Sequence, residues 1–317
     1  MKICYLLASA MPLLASAATP EPRGLKGVAR HGNEEERQLQ DAEPRQDIDL
    51  GEIFGFGCFS QVSTVQVENK GPVAMKDLQV GDKILTASNE YQPVYSFGHW
   101  DPTTEARFLQ FHTKEGTVLE MTPEHLVFEA DNNDPVRADS LQVGDVLRGN
   151  NPQSSHTIAK IDSIQREGLY APFTEEGTLV VDGIVASSYI SLQHGHNDVK
   201  LQNGASLGIS QHDYVHMGIA PLRLLCLGVS GRYCSTDYYT SEGMPFYAAF
   251  SVWVNLWVNE QSSMVQMMAF GVISLLTGAC LAAETMFGAS RAPLALCAMA
   301  TAMLHVLVHR RRSQKNA

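Results

Sequence analysis

Between residues 61 and 186 the chain repeatedly alternates apolar and polar positions at a period of two, in runs too short for helices. Gln61-Val62-Ser63-Thr64-Val65-Gln66-Val67-Glu68 is the first such run, and Thr117-Val118-Leu119-Glu120-Met121 is another. Residues 107–113, 126–129, 156–165 and 178–186 predict further strands, with Glu115-Gly116 and Glu176-Gly177 as turn signals between them. The pattern predicts an all-β domain over residues 58–192, an ordinary size for one domain. Its character changes afterwards. Met244, Pro245, Phe246, Tyr247, Trp253, Leu256 and Trp257 fall near helical spacing, which suits either an interfacial helix or one packed on the domain.

Residues 264–283 form an apolar run of bilayer length that Glu284 ends, and residues 292–308 form a second, shorter one. His309-Arg310-Arg311-Arg312 follows, a basic cluster that favours the cytoplasmic side. If both runs span, the β domain shares the cytosolic face with this tail. A single span leaves the β domain lumenal and agrees with the N-terminus, where Met1-Lys2, an apolar stretch and Ala15-Ser16-Ala17-Ala18 read as a secretory signal over residues 1–18; a hairpin lying partly in the interface and a buried helical pair are the other readings. Residues 19–57, rich in Glu, Arg, Asp and Gln, read as disordered. The expected organisation is thus a signal, a polar segment, a β domain over 58–192, a connecting region over 193–259, membrane-associated helices over 260–309 and a basic tail over 310–317.

An internal repeat supports the β reading, because Leu78-Gln79-Val80-Gly81-Asp82 recurs identically as Leu141-Gln142-Val143-Gly144-Asp145. Each copy is followed by a short apolar stretch, Lys83-Ile84-Leu85 or Val146-Leu147-Arg148, so each reads as a Gly-Asp turn entering a strand. A duplicated β unit implies a pseudo-twofold axis through the domain.

Chemistry enters with Gly57-Cys58-Phe59-Ser60 and, further on, Thr122-Pro123-Glu124-His125. A cysteine thiol can attack the carbonyl of the residue before it and turn that amide into a thioester, provided that neighbouring groups polarise the amide and give its nitrogen a proton. Thr122 and His125 are suited to those tasks, and Gly57 has no Cβ to hinder the tetrahedral intermediate. The plain alternatives are a buried structural cysteine and a strand histidine with a satisfied ring.

Residues 57–192 resemble a hedgehog/intein (Hint) domain of the hedgehog autoprocessing kind. The resemblance is carried by Gly57-Cys58-Phe59, both Leu-Gln-Val-Gly-Asp copies, Phe111-His112-Thr113, Thr122-Pro123-Glu124-His125-Leu126, Ala171-Pro172-Phe173-Thr174, Glu176-Gly177-Thr178-Leu179-Val180-Val181 and Ala186-Ser187-Ser188-Tyr189. It implies a horseshoe-shaped, pseudo-twofold β fold followed by C-terminal helices, and an N-to-S acyl shift at Cys58 assisted by Thr122 and His125. It further implies a thioester resolved by a sterol hydroxyl or by water, with an aspartate as general base toward the acceptor. Asp101 in His99-Trp100-Asp101 occupies that place, with Asp82 and Asp134 as competitors and a turn residue before Pro102 as the plain alternative. The stretch Asp213-Tyr214-Val215-His216-Met217-Gly218-Ile219-Ala220-Pro221-Leu222-Arg223-Leu224-Leu225 resembles the segment that recruits sterol in that family.

Departures from the family shape the expectation. His196-Asn197 is followed by Asp198, which lacks the nucleophile that splicing requires, and Ser188 stands where hedgehog-type domains often carry a cysteine. The segment before Gly57 is too short for a hedgehog signalling domain, so the expected product is a short peptide. Cleavage between Gly57 and Cys58 makes the protein an autocatalytic, cysteine-dependent protease or acyl transferase of the secretory pathway, with sterol or water as acyl acceptor and the membrane as partner. The other class left open is a non-catalytic, membrane-tethered scaffold or adhesion protein.

Composition narrows the field further. A formal net charge of −11 and a basic cluster confined to the last residues argue against nucleic-acid binding. Cysteines stand at positions 4, 58, 226, 234, 280 and 297 without metal-like spacing, so neither a metal nor a cofactor is expected, and Cys226 with Cys234 can pair in an oxidising lumen.

Overall fold

The structure is a computed structural model that describes residues 58–298 apart from 152–153, 194, 196, 201–203, 230 and 260. The predicted signal, the polar segment with Gly57, most of the second apolar run and the basic tail lie outside the described residues.

The module is mostly β. Its first strands are β1 (Thr64–Val67), β2 (Gly71–Ala74), β3 (Lys83–Leu85), β4 (Tyr91–Pro93), β5 (Ser96–Thr113) and β6 (Val118–Met121). There follow β7 (His125–Val127), β8 (Val136–Arg137), β9 (Val146–Arg148), β10 (Ser155–Phe173), β11 (Thr178–Val181) and β12 (Ile184–Ile190). One sheet runs β4-β3-β1-β11-β12-β7-β8, with β2 paired to β1, and a second runs β6-β5-β10-β9. The period-two pattern works as anticipated in β1, where Val65 and Val67 are buried and Gln66 is exposed. Antiparallel β5 and β10 form the longest ladder, from Thr113 opposite Ile158 to Ser96 opposite Phe173, with three register shifts along it. Such irregularities increase local twist and help the sheet curl into a half-barrel.

The structure differs from the sequence pattern at two places. Residues 178–186 break into β11 and β12 at Asp182 and Gly183, both at positive φ, where the chain turns back on itself. Strand β5 begins eleven residues before the predicted 107–113 run. Residues 102–105 are exposed, so no buried face imprinted alternation on that sequence; the β10 ladder pairs Asp101 with Leu169 and Glu105 with Glu167, and a register shift leaves 102–104 between them.

The repeat folds as two copies of one device. A 3-10 turn, Met75–Asp77 or Ala138–Ser140, leads into a buried leucine, Leu78 or Leu141. Gly81 N donates to Val94 O at 2.8 Å and Gly144 N to Ile158 O at 2.9 Å. The Asp82 and Asp145 carboxylates cap the turns by accepting from Gln79 N at 3.1 Å and Gln142 N at 2.7 Å. The glycines have φ of 98° and 105°, a region that side chains resist. Both halves feed one core, with Val67, Ile84 and Phe97 meeting Leu119, Val127, Leu147 and Ile184.

Beyond β12 come the hairpin β13 (Asp198–Lys200) and β14 (Ser206–Ser210), then helices α1 (Gln211–Gly218), α2 (Ala220–Leu224), α3 (Phe246–Asn259) and α4 (Ser263–Phe287). Ser210 caps α1 by accepting from Asp213 N at 3.0 Å. This extension packs on the β module, because Val215, Leu222 and Ala248 share a cluster with Cys58, Phe108, Phe173 and Tyr189. Cys226 and Cys234 form a disulfide. Arg223 is buried and makes a bidentate ion pair with Glu284 of α4 at 2.5 and 2.7 Å. The stretch Met264–Phe287 is long and apolar enough, by length and composition, to cross a membrane.

Candidate active site

Phe59 places Cys58. Its N–H donates to Tyr170 O at 2.8 Å, its carbonyl accepts from Tyr170 N at 3.2 Å, and it bridges Met121 on the other side. Since Phe59 is fully buried, these bonds anchor the start of the module and set Cys58 beside Thr122. Thr122 N donates to Cys58 O at 3.0 Å, and Cys58 N donates to Thr122 Oγ1 at 3.3 Å. The tetrad is a turn closed by His125 N donating to Thr122 O at 3.1 Å, and Pro123 suits its second position. Cys58 itself is buried and carries its sulfur as a thiol.

His125 opens β7 inside the core, with Phe59 packed on its ring at a centroid distance of 4.2 Å. Its Nε2 lies 2.7 Å from Ser187 O. A carbonyl can only accept, so Nε2 carries the proton and Nδ1 is left with a bare lone pair. That Nδ1 is buried and makes no hydrogen bond among the described residues. Burial holds the ring down to about 4, against the Ser187 carbonyl and the Cys58 backbone, which favour its charged form. At neutral pH His125 is therefore an uncharged imidazole. Once it gains a proton, it is a strong acid.

A third group at the thiol has no counterpart in the sequence reading. Cys58 Sγ lies 3.4 Å from His99 Nδ1, and His99 Nε2 lies 2.9 Å from Glu242 O. His99 is 41 residues from Cys58 and 143 from Glu242, so no local motif announces the contact. The Ser187 carbonyl was missed for the same reason.

The aspartates are otherwise engaged. Asp101 Oδ1 accepts from Thr103 N at 2.8 Å, Thr103 Oγ1 at 2.9 Å and Thr104 N at 3.1 Å, and its Oδ2 accepts from Thr104 Oγ1 at 2.6 Å. Burial pushes its pKa up, but these four bonds outweigh it and leave the carboxyl at about 2. Asp82 caps the first repeat turn and pairs with Lys70 at 2.5 Å, and Asp134 lies exposed. Ser188, where the resemblance expects cysteine, donates through Oγ to Pro172 O at 2.8 Å.

Together, the curled half-barrel, the repeated turns and the thiol seated against the Thr122 turn define a module of Hint type. A family model of the Hint module matches residues 53–260, well over half of the chain, and the chain belongs to that family. Among curated proteins it is 32% identical over 183 residues to Protein hedgehog of Drosophila virilis, covering 53% of this chain and 34% of the relative. It is 33% identical over 141 residues to Warthog protein 1 of Caenorhabditis elegans, covering 42% and 29%. The chain thus spans about a third of the length of the curated relatives it matches. Among solved structures, a DnaB intein from Synechocystis sp. is 19% identical, with 42% of this chain and 99% of that one covered at a TM-score of 0.36.

Proposed function

We propose that this chain cleaves itself between Gly57 and Cys58. The Cys58 sulfur attacks the Gly57 carbonyl carbon, the C–N bond breaks, and the Gly57 acyl group moves onto sulfur as a thioester. The observation that carries the reading is a buried thiol with two groups at its own backbone: Thr122 Oγ1 on the Cys58 amide, and the His125 ring, whose Nδ1 makes no hydrogen bond among the described residues. Thr122 orients the amide. His125, once protonated on Nδ1, gives that proton to the departing nitrogen, a task suited to a ring whose conjugate acid lies near 4. Membership in a family known for autoprocessing supports the same reading.

The thioester is then resolved by a sterol hydroxyl or by water, releasing the N-terminal segment. Asp101 is the carboxylate assigned to activate that acceptor, and its turn must first let go of it, because a carboxylate held by four hydrogen bonds is a weak base. The protein acts in the secretory pathway with α4 seated in or on the membrane. Supporting this, Met264, Met267, Met268, Val272, Leu275 and Leu276 of α4 are exposed, an apolar face that water disfavours.

The test is expression of the full chain, alone and with dithiothreitol or sterol, followed by N-terminal sequencing. A new N-terminus at Cys58 is expected, and none in Cys58→Ala. A wild-type chain that stays whole under every condition overturns the proposal. Mass spectrometry of the released segment distinguishes a sterol ester from plain hydrolysis.

A further inference from the structure

His99 meets the Cys58 sulfur through one ring nitrogen, and its second nitrogen is fixed by a carbonyl. With Glu242 O accepting at 2.9 Å, Nε2 holds the ring proton and Nδ1 points a lone pair at the thiol 3.4 Å away. Nucleophile, base and a third group that orients the base are the parts of an activated cysteine. His99 is 8% exposed, so bulk water does not readily substitute for it.

Glu242 belongs to the 239–245 turn, outside the β module and built onto its long strand. Tyr239 OH accepts from Phe97 N at 2.6 Å and donates to Phe97 O at 2.9 Å. Trp100 N donates to Gly243 O at 2.8 Å, and Gly243 N donates to Thr240 O at 3.0 Å. Gly243 sits at φ +73°, and a Cβ there would come within 2.4 Å of Trp100 O, so only glycine lets the turn lie this close to the strand. The bonds bracket His99 on both sides, through Phe97 and Trp100.

We infer that His99 is the base that takes the Cys58 thiol proton, and that the 239–245 turn completes the nucleophile by holding the His99 ring through the Glu242 backbone carbonyl. The inference rests on the self-cleavage proposed above. The S–H bond breaks and its proton passes to His99 Nδ1. The sulfur lone pair forms the bond to the Gly57 carbonyl carbon, and the C–N electron pair leaves on the Cys58 nitrogen. The nitrogen takes its proton from His125, and His99 releases the one it took to solvent, from which His125 is protonated, so the protons balance and the step needs no co-reactant.

The test is the pH dependence of dithiothreitol-driven cleavage in the full-length chain. His99→Ala is expected to lower the rate about 100-fold at neutral pH. Measured against wild type at the same pH, its rate should then climb about tenfold per pH unit and approach parity above the ordinary thiol range near 8.5, because hydroxide now removes the proton. Recovery in alkali also shows that the variant is folded. Gly243→Ala, which displaces the turn but leaves both side chains, is expected to show the same alkaline recovery from a smaller loss. His125→Ala should stay slow at every pH. If His99→Ala cleaves at the wild-type rate near neutrality, or is slowed equally at all pH values, the inference is overturned and the self-cleavage reading stands. If the wild type does not cleave at any pH, that reading fails and takes the inference with it.

Discussion

The two halves of the β module carry the same turn with different cargo. In the second half, Thr122-Pro123-Glu124-His125 is closed by His125 N donating to Thr122 O at 3.1 Å. In the first half, Ser60-Gln61-Val62-Ser63 is closed in the same way by Ser63 N donating to Ser60 O at 3.2 Å. Each turn is stitched to the 3-10 turn of its own repeat, through Asp139 N to Pro123 O at 2.9 Å in one and Lys76 N to Gln61 O at 3.4 Å in the other. The residues just before the turns, Met121 and Phe59, bridge each other. Near-equivalent positions thus meet at the pseudo-twofold axis, so Cys58 at the start of one half falls beside the turn of the other. The repeat supplies the proximity, and side-chain identity distinguishes the two turns. The serines bond to each other, with Ser60 Oγ 3.4 Å from Ser63 Oγ, and Ser63 Oγ donates to Glu120 O at 3.4 Å, whereas Thr122 and His125 face the Cys58 backbone.

That distinction can be broken by exchanging cargo. His125→Ala is expected to slow cleavage by about 10²- to 10⁴-fold, while its counterpart Ser63→Ala leaves the rate within about threefold, both followed as appearance of the Cys58 N-terminus. Equal effects from the two would mean that the halves share the chemistry. A smaller effect concerns stability, best measured on the Cys58→Ala chain so that it stays whole. His125 is held near 4 by burial, against 6.5 in an unfolded chain, so between those values the unfolded state binds more protons. Stability is therefore full above pH 6.5 and falls as the pH drops toward 4, by about 3 kcal/mol from this group. His216, held near 3 by burial and then by Arg223, adds in the same direction. Urea unfolding at pH 7 and pH 5 should show the loss, and His125→Gln should flatten it. Smallest are Gly81→Ala and Gly144→Ala, each expected to cost about 1–2 kcal/mol because both glycines hold positive φ. Markedly unequal costs by urea unfolding would show that the repeats are alike in sequence only.

Much of the scaffold was legible because it is written locally. Alternation marked β1, the Gly-Asp pairs marked the turns, and an identical pentapeptide revealed the duplication. The polar arm of β5 was not legible, since its conformation comes from the β10 ladder and not from a buried face of its own. In the site, Cys58, Thr122 and His125 were readable as residue types with a shared chemistry, and the structure brings them together. Asp101 was read through the resemblance, yet Asp101-Pro102-Thr103-Thr104 also has the makings of a side-chain-capped turn, which the four threonine bonds realise.

By itself, then, the sequence determined the alternating strands, the duplicated turns, and the thiol, threonine and histidine of the candidate site, because period, turn chemistry and functional-group identity are properties of neighbouring residues. Only the tertiary structure decided which nitrogen of His125 stays bare, that His99 stands against the sulfur, and that a turn from beyond the β module holds that ring. Those depend on carbonyls of Ser187 and Glu242 brought from far along the chain, and a carbonyl oxygen, common to every residue, leaves no mark in the sequence.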